Sequence, residues 1–222
     1  MGAKPVTIAI EGRDSVSGLW LAPEKARAAL VLAHGAGAGM THKSMAAIAD
    51  GLAARGIATL RFQFPYMEKG SRRPDTPAVA QAAVRATVAD AAKRAPKLPL
   101  FAGGKSFGGR MASQAQAANP LEGVRGLVFF GFPLHPAGSP STDRAKHLES
   151  VKVPMLFLSG TRDALAEVDL LKPVVKALGK RATLALFKDA DHSFHVPKAS
   201  GKTDGEVLDE ILDAAAGWME KQ

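Results

Sequence analysis

Short apolar runs rich in Val, Ile, Leu and Phe alternate along this chain with stretches whose apolar residues recur at helical spacing, and this alternation restricts the fold more than any other feature. A strand that is apolar at nearly every position is buried on both faces. A mostly parallel sheet with helices on both sides provides that burial. Runs at 29–33, 57–62, 98–102, 126–130, 154–158 and 183–187 predict six such strands. Two more, 6–10 and 18–21, flank the turn-like Gly12-Arg13-Asp14 and predict an antiparallel hairpin at the sheet edge, giving about eight strands in all. Between them, 43–54, 77–94, 107–118, 166–178 and 205–220 read as helices, several with alanine-rich faces suited to close packing on a sheet. Each crossover should be right-handed. With 222 residues, 46% of them hydrophobic, the expectation is one α/β domain over residues 1–222. Only the Pro-, Gly- and Ser-rich stretch 132–148 follows the sixth strand, too little for a lid domain.

Composition removes several classes of chemistry. The chain has no cysteine, so disulfides, thiolate metal sites and a cysteine nucleophile are excluded. A net charge of +8 would suit nucleic acid if it were gathered on one surface, but the densest basic groups are the pairs Arg72-Arg73 and Lys180-Arg181, without interleaved aromatics. No nucleic-acid partner is expected; the charge reads as solvated surface that favours anionic substrates at long range. The first residues lack the apolar core of a secretory signal, and no stretch is long and apolar enough for a membrane helix, so a cytoplasmic monomer or homodimer is expected. The six histidines, His34, His42, His135, His147, His192 and His195, show no metal-ligand spacing, and no metal is expected. Gly104-Lys105-Ser106 ends like a phosphate-binding loop, yet Pro99 stands where its first glycine is required. Gly35, Gly37 and Gly39 fail the dinucleotide fingerprint, whose third glycine would fall on Met40 or His42.

The sharpest local signal is Gly104-Lys105-Ser106-Phe107-Gly108, a match to G-x-S-x-G lying between an apolar strand and a helical stretch. In that context the serine hydroxyl projects above the sheet, while neighbouring backbone passes too close for side chains at Gly104 and Gly108. A serine needs a base to become a nucleophile, and the base is expected after the last strand. Both His192 and His195 lie there. The acid that orients the base is expected after the penultimate strand, where Asp163 ends Ser159-Gly160-Thr161-Arg162-Asp163; Asp189 and Asp191 are too near the histidines in sequence. An aspartate at 163 would equally suit capping the helix that follows. The oxyanion formed by attack on a carbonyl needs two donors. One should be the Phe107 amide, and the other should come from the loop His34 to Met40, with Ala36 favoured and Gly37 as the alternative. His42, Phe64, Tyr66 and His135 lie in loops after strands and are candidates, with Gly37, for lining the substrate pocket.

Taken together, His34-Gly-Ala-Gly-Ala-Gly-Met40, Arg61-Phe-Gln-Phe-Pro-Tyr-Met67, Gly103-Gly-Lys-Ser-Phe-Gly-Gly-Arg110, Gly131-Phe-Pro-Leu-His-Pro136, Gly160-Thr-Arg-Asp163 and Asp191-His-Ser-Phe194 resemble the small bacterial α/β-hydrolases related to dienelactone hydrolases. The resemblance is closest to the branch that also contains eukaryotic chromatin-complex subunits, and it covers nearly the whole chain. It implies an α/β-hydrolase fold without a lid and a triad of Ser106, Asp163 and His192, with His192 preferred to His195 because the base directly follows an acid. It also implies activity on simple esters, as in some relatives. Without a lid, small carboxylic esters or thioesters are the expected substrates, and the triad chemistry requires no cofactor. Dienelactone hydrolysis does not carry over, because those enzymes use cysteine where this chain has Ser106. Gln63 departs from the acidic residue expected at its position in this branch. The alternative function is a catalytically weak or inactive hydrolase fold kept as an interaction module.

Overall fold

A computed structural model describes residues 2–222. Eight strands form one sheet: β1 Lys4–Ile8, β2 Val16–Leu21, β3 Ala28–Ala33, β4 Ile57–Phe62, β5 Leu100–Lys105, β6 Val124–Phe130, β7 Met155–Gly160 and β8 Ala182–Phe187. Their order is β1-β2-β4-β3-β5-β6-β7-β8. The β1–β2 and β2–β4 pairs are antiparallel and all others parallel. The helices are α1 Lys43–Ala54, the single turn α2 Pro65–Glu68, α3 Pro77–Arg94, α4 Phe107–Ala118, α5 Val168–Leu178 and α6 Asp204–Met219. This is the lidless α/β-hydrolase arrangement that the sequence predicts. Between β6 and β7 there is only a 3-10 segment, Asp143–Ser150.

The apolar strands divide their side chains between two cores with period two. Ala29, Val31 and Ala33 of β3 join Leu127 and Phe129 of β6 and the buried faces of α3, α4 and α5. Leu30 and Leu32 point the other way, with Phe101, Val128, Phe130, Leu156 and Leu158, against α1 and α6. Handedness explains the allocation. The β3–α1–β4 crossover steps along the sheet in one direction, and those carrying α3, α4 and α5 step in the other, so right-handed connections place α1 on the opposite face. The chain therefore reverses direction at the β3–β5 boundary, and the loops leaving their carboxyl ends diverge there. In open α/β sheets such a switch point is where ligands bind.

The predicted limits of β4, α1, α3 and α4 match the structure, and the other elements shift at one or both ends, three of them for identifiable local reasons. The first strand lies at 4–8 rather than 6–10, because Ile10 is already in a turn whose carbonyl accepts from the Arg13 amide. The strand expected at 98–102 runs from Leu100 to Lys105. Pro99 has no N–H for a ladder and contributes only its carbonyl, to the Ala29 amide. Helix α5 starts at Val168 rather than 166, since the Leu165 and Ala166 amides are taken by the Asp163 carboxylate and carbonyl in a preceding turn.

Where β5 passes into α4, the backbone of β3 approaches closely. A Cβ on Gly104 would lie 2.1 Å from the Ala33 carbonyl oxygen, and one on Gly108 would lie 2.4 Å from the same atom. Both contacts are with backbone in the sheet centre, which cannot yield. Gly217 in α6 has open space at the corresponding point. Gly108→Ala is expected to cost at least about 3 kcal/mol in urea unfolding. Gly217→Ala is expected to add about 0.5–1 kcal/mol. Similar midpoints for the two variants would contradict the packing described.

Candidate active site

Ser106 occupies the turn from β5 into α4 with φ 50° and ψ −114°, a conformation that costs a non-glycine residue about 1–3 kcal/mol. It is held there because its amide donates to the Phe130 carbonyl (3.2 Å), its carbonyl accepts from the Arg110 amide (3.1 Å), and the glycines on either side let β3 close in. The hydroxyl is thereby lifted off the end of the sheet, and the first turn of α4 points its unpaired amides, Phe107 foremost, toward the same space.

His192 Nε2 lies 2.9 Å from Ser106 Oγ. Its Nδ1 lies 2.8 Å and 3.0 Å from the two carboxylate oxygens of Asp163, which is 2% exposed. An ionised carboxylate can only accept, so Nδ1 carries the proton and Nε2 is left to accept from the serine hydroxyl. His195 faces elsewhere, with its Nδ1 on the exposed Asp204 carboxylate, which raises the imidazole pKa. Asp163 Oδ1 also accepts from the Leu165 amide (2.8 Å), which closes a turn ahead of α5; the N-cap of that helix is Glu167, so Asp163 does not cap it.

Several residues without a recognisable motif hold this line in place. The Asp191 carboxylate accepts from the Ser193 and His195 amides and folds the loop around His192. Arg162 N donates to Ala190 O (2.9 Å) and ties the Asp163 loop to the His192 loop. Lys105 Nζ, next to the serine, donates to the His192 carbonyl (2.9 Å) and lies 4.8 Å from the centre of the Phe194 ring. Burial lowers the Lys105 pKa to about 8, against the pull of Asp163 and Asp191, so near neutral pH the ammonium is still mostly charged.

The loop after β3 is pinned in the same way. Buried His34 donates from Nδ1 to the Gly35 carbonyl and accepts the Phe64 amide at Nε2; burial lowers its pKa, partly offset by the Gly35 bond. Gln63 Oε1 accepts from the Met40 amide (2.8 Å), and Arg61 Nη1 donates to the Met40 carbonyl (3.1 Å). The amide at position 63 thus has a definite task in place of the expected acid. The Gly37 amide donates to Tyr66 Oη (3.1 Å). That amide is occupied, which favours Ala36 of the two alternatives.

Ser106 opens into a cleft of about 470 Å³ whose walls include Ala36, Phe107, Arg110, Met111, Pro133 and Arg144. Of the candidates for lining it, none of Phe64, Tyr66, His42 and His135 forms its wall. Phe64 is 0% exposed and packs edge-on beneath the Phe107 ring, at 5.2 Å between centroids. Tyr66 is buried beside it and supports the Gly37 loop. His42 is exposed and caps α1, its Nδ1 accepting from the Ser44 amide. His135 is 1% exposed, with its ring nitrogens on the Pro136 carbonyl and the Glu167 carboxylate. Burial lowers its pKa, but these two acceptors outweigh it and the net shift is upward. A loop after a strand lies near the cleft, but Phe64, Tyr66 and His135 turn inward to brace it and His42 turns outward to cap α1.

A family model described as an alpha/beta hydrolase domain matches residues 26–220. Among solved structures, the chain is similar to a dienelactone hydrolase from Anabaena variabilis, at 21% identity and TM-score 0.79 over 99% of this chain and 97% of that one. It is similar to a serine hydrolase without a lid from Xanthomonas campestris, at 20% identity and TM-score 0.76 over 98% and 95%. A third likeness is to the esterase domain of a Rhodothermus marinus protein, at 14% identity and TM-score 0.73 over 100% and 99%. At these identities the likeness is one of fold.

His147, behind the cleft, offers a pH test of this environment. Its Nε2 lies 2.7 Å from Ser113 Oγ, and burial together with the Arg110 charge lowers its pKa from 6.5 to about 4. Between pH 6.5 and 4 the unfolded chain takes up a proton here that the folded chain refuses, so acidification over that interval destabilises the fold. Below about pH 4 both states are protonated and the effect levels off. His147→Gln is expected to lose about 2 kcal/mol less stability than the wild type across this interval in urea unfolding, a figure discounted for partial exposure. Equal losses would contradict the buried, Arg110-facing environment.

Proposed function

Because the chain belongs to the alpha/beta hydrolase domain family, we propose that it is a serine hydrolase cleaving small carboxylic esters or thioesters through an acyl-enzyme on Ser106. The observation that carries this reading is the unbroken line from the Asp163 carboxylate through both His192 nitrogens to Ser106 Oγ. Ser106 Oγ attacks the carbonyl carbon as its proton passes to His192 Nε2, and Asp163 steadies the imidazolium. The Phe107 and Ala36 amides receive the oxyanion. Collapse expels the alcohol or thiol, which takes the proton from Nε2. A water then gives its proton to His192 and attacks the acyl carbonyl; collapse breaks the bond to Ser106 Oγ, which takes the proton back from Nε2 as the acid leaves. Side chains and backbone supply every group these steps use.

Lys105 acts as a positioning residue: by holding the His192 carbonyl it keeps the ring from rotating off the serine. The absence of an inserted lid and the modest cleft support compact substrates over long acyl chains. A fluorophosphonate probe tests the assignment. The wild type is expected to be labelled promptly and Ser106→Ala not at all, with Asp163→Asn slowed by roughly 10³- to 10⁴-fold because the imidazole then loses its tautomer control. Labelling that persists in Ser106→Ala would overturn the nucleophile. An unlabelled wild type would favour an interaction module on the same fold.

A further inference from the structure

Two guanidinium groups, Arg110 and Arg144, share the cleft with Ser106. Arg110 lies four residues along α4 from Ser106, hence on the same helix face and about 6 Å further along the axis. Its guanidinium carbon is 5.7 Å from the centre of the Phe107 ring, and its Nε is buried with no hydrogen-bond partner. Arg144 stands at the start of the 3-10 segment Asp143–Ser150, which packs against α4. Neither arginine forms an ion pair among the described residues, and the nearby acids are engaged elsewhere. Asp163 serves His192 and Leu165, Glu167 serves His135, Asp143 pairs with Lys146, and Asp75 in the cleft wall accepts the Tyr66 amide. Burial lowers the pKa of both arginines, and the charge of Arg144 lowers that of Arg110 further.

Two like charges in a partly dehydrated cleft, one with an orphaned buried donor, raise the energy of the empty site. An anion placed between them would relieve the repulsion, and guanidinium groups match the geometry of planar or tetrahedral oxyanions. Resting on the hydrolase reading above, we propose that Arg110 and Arg144 form a binding site for an oxyanion group, a carboxylate or a phosphate, carried by the ester that Ser106 cleaves. The spacing along α4 sets that group a few bonds from the scissile carbonyl, as in the monoester of a short dicarboxylic acid. The positive surface at large brings such substrates in; this pair holds them.

The test compares kcat/KM for p-nitrophenyl hemiglutarate with that for p-nitrophenyl butyrate, an uncharged ester of similar length. The ratio is expected to exceed about 10 in the wild type and to fall at least about fivefold in Arg110→Gln and in Arg144→Gln, as for loss of a charge-assisted hydrogen bond. Lys93→Gln makes the same charge change on an exposed residue near the end of α3, at the far edge of the sheet, and leaves the ratio in place. Glutarate and inorganic phosphate, each used as an inhibitor of butyrate ester hydrolysis, distinguish the two anion types. A wild-type ratio near one, or a ratio that Lys93→Gln lowers as much as the arginine variants do, would overturn the site while the hydrolase reading stands. If neither ester is cleaved and Ser106 is not labelled, the hydrolase reading fails. Calorimetric titration of glutarate and of phosphate then decides the site alone: heat that Arg144→Gln abolishes supports it, and no heat with the wild type overturns it.

Discussion

The close approach of β3 to the turn between β5 and α4 is the constraint on which the rest of the molecule depends. With the Ala33 carbonyl only 2.1 Å and 2.4 Å from where Cβ atoms would stand on Gly104 and Gly108, no other residue fits at either position without moving the sheet centre. That contact forces the chain through Ser106 at φ 50° and delivers its hydroxyl to the switch point between β3 and β5. The same approach brings the loop after β3 alongside the first turn of α4. Strain at one residue is thus sustained by two large cores, one on each face of the sheet.

Around this point the structure spends its carboxylates selectively. Asp163, Asp191, Asp75 and Glu167 all serve neighbouring backbone amides or histidines, and each of these bonds positions part of the cleft wall or the imidazole. Among the described residues, the two arginines of the cleft form no ion pair. His147, held neutral by burial and by Arg110, adds no third positive charge beside them. A site that was only scaffold would gain from pairing those arginines with acids, and this one withholds them.

Much of the fold was legible in the sequence because burial on both faces leaves a simple signature. β4, α1, α3 and α4 follow directly from their apolar patterns. Three of the boundaries that moved lie where one backbone group decides: the missing N–H of Pro99, the turn at Ile10, and the amides claimed by Asp163. Ser106, Asp163 and His192 could be named because chain order and strand context narrow each choice, and the structure brings the three together. The preference for His192 over His195 came from a resemblance and not from spacing. The cleft wall was not legible in the same way. Phe64, His42 and His135 stand in suitable loops yet turn away from the cleft, while Arg110, Arg144 and Lys105 look in sequence like ordinary surface charge. Only packing reveals that the Lys105 ammonium is buried against the His192 loop and that the two arginines converge.

The central claim is that the alignment of Asp163, His192 and Ser106 turns a serine hydroxyl into an acyl acceptor. Rapid mixing with p-nitrophenyl acetate, acid quenching and peptide mapping by mass spectrometry test it most directly. The account predicts a nitrophenolate burst stoichiometric with the chain and an acetyl group carried on the Ser106 hydroxyl. Acetyl found on the neighbouring Lys105 amine, or no acetylated peptide during turnover, would contradict it.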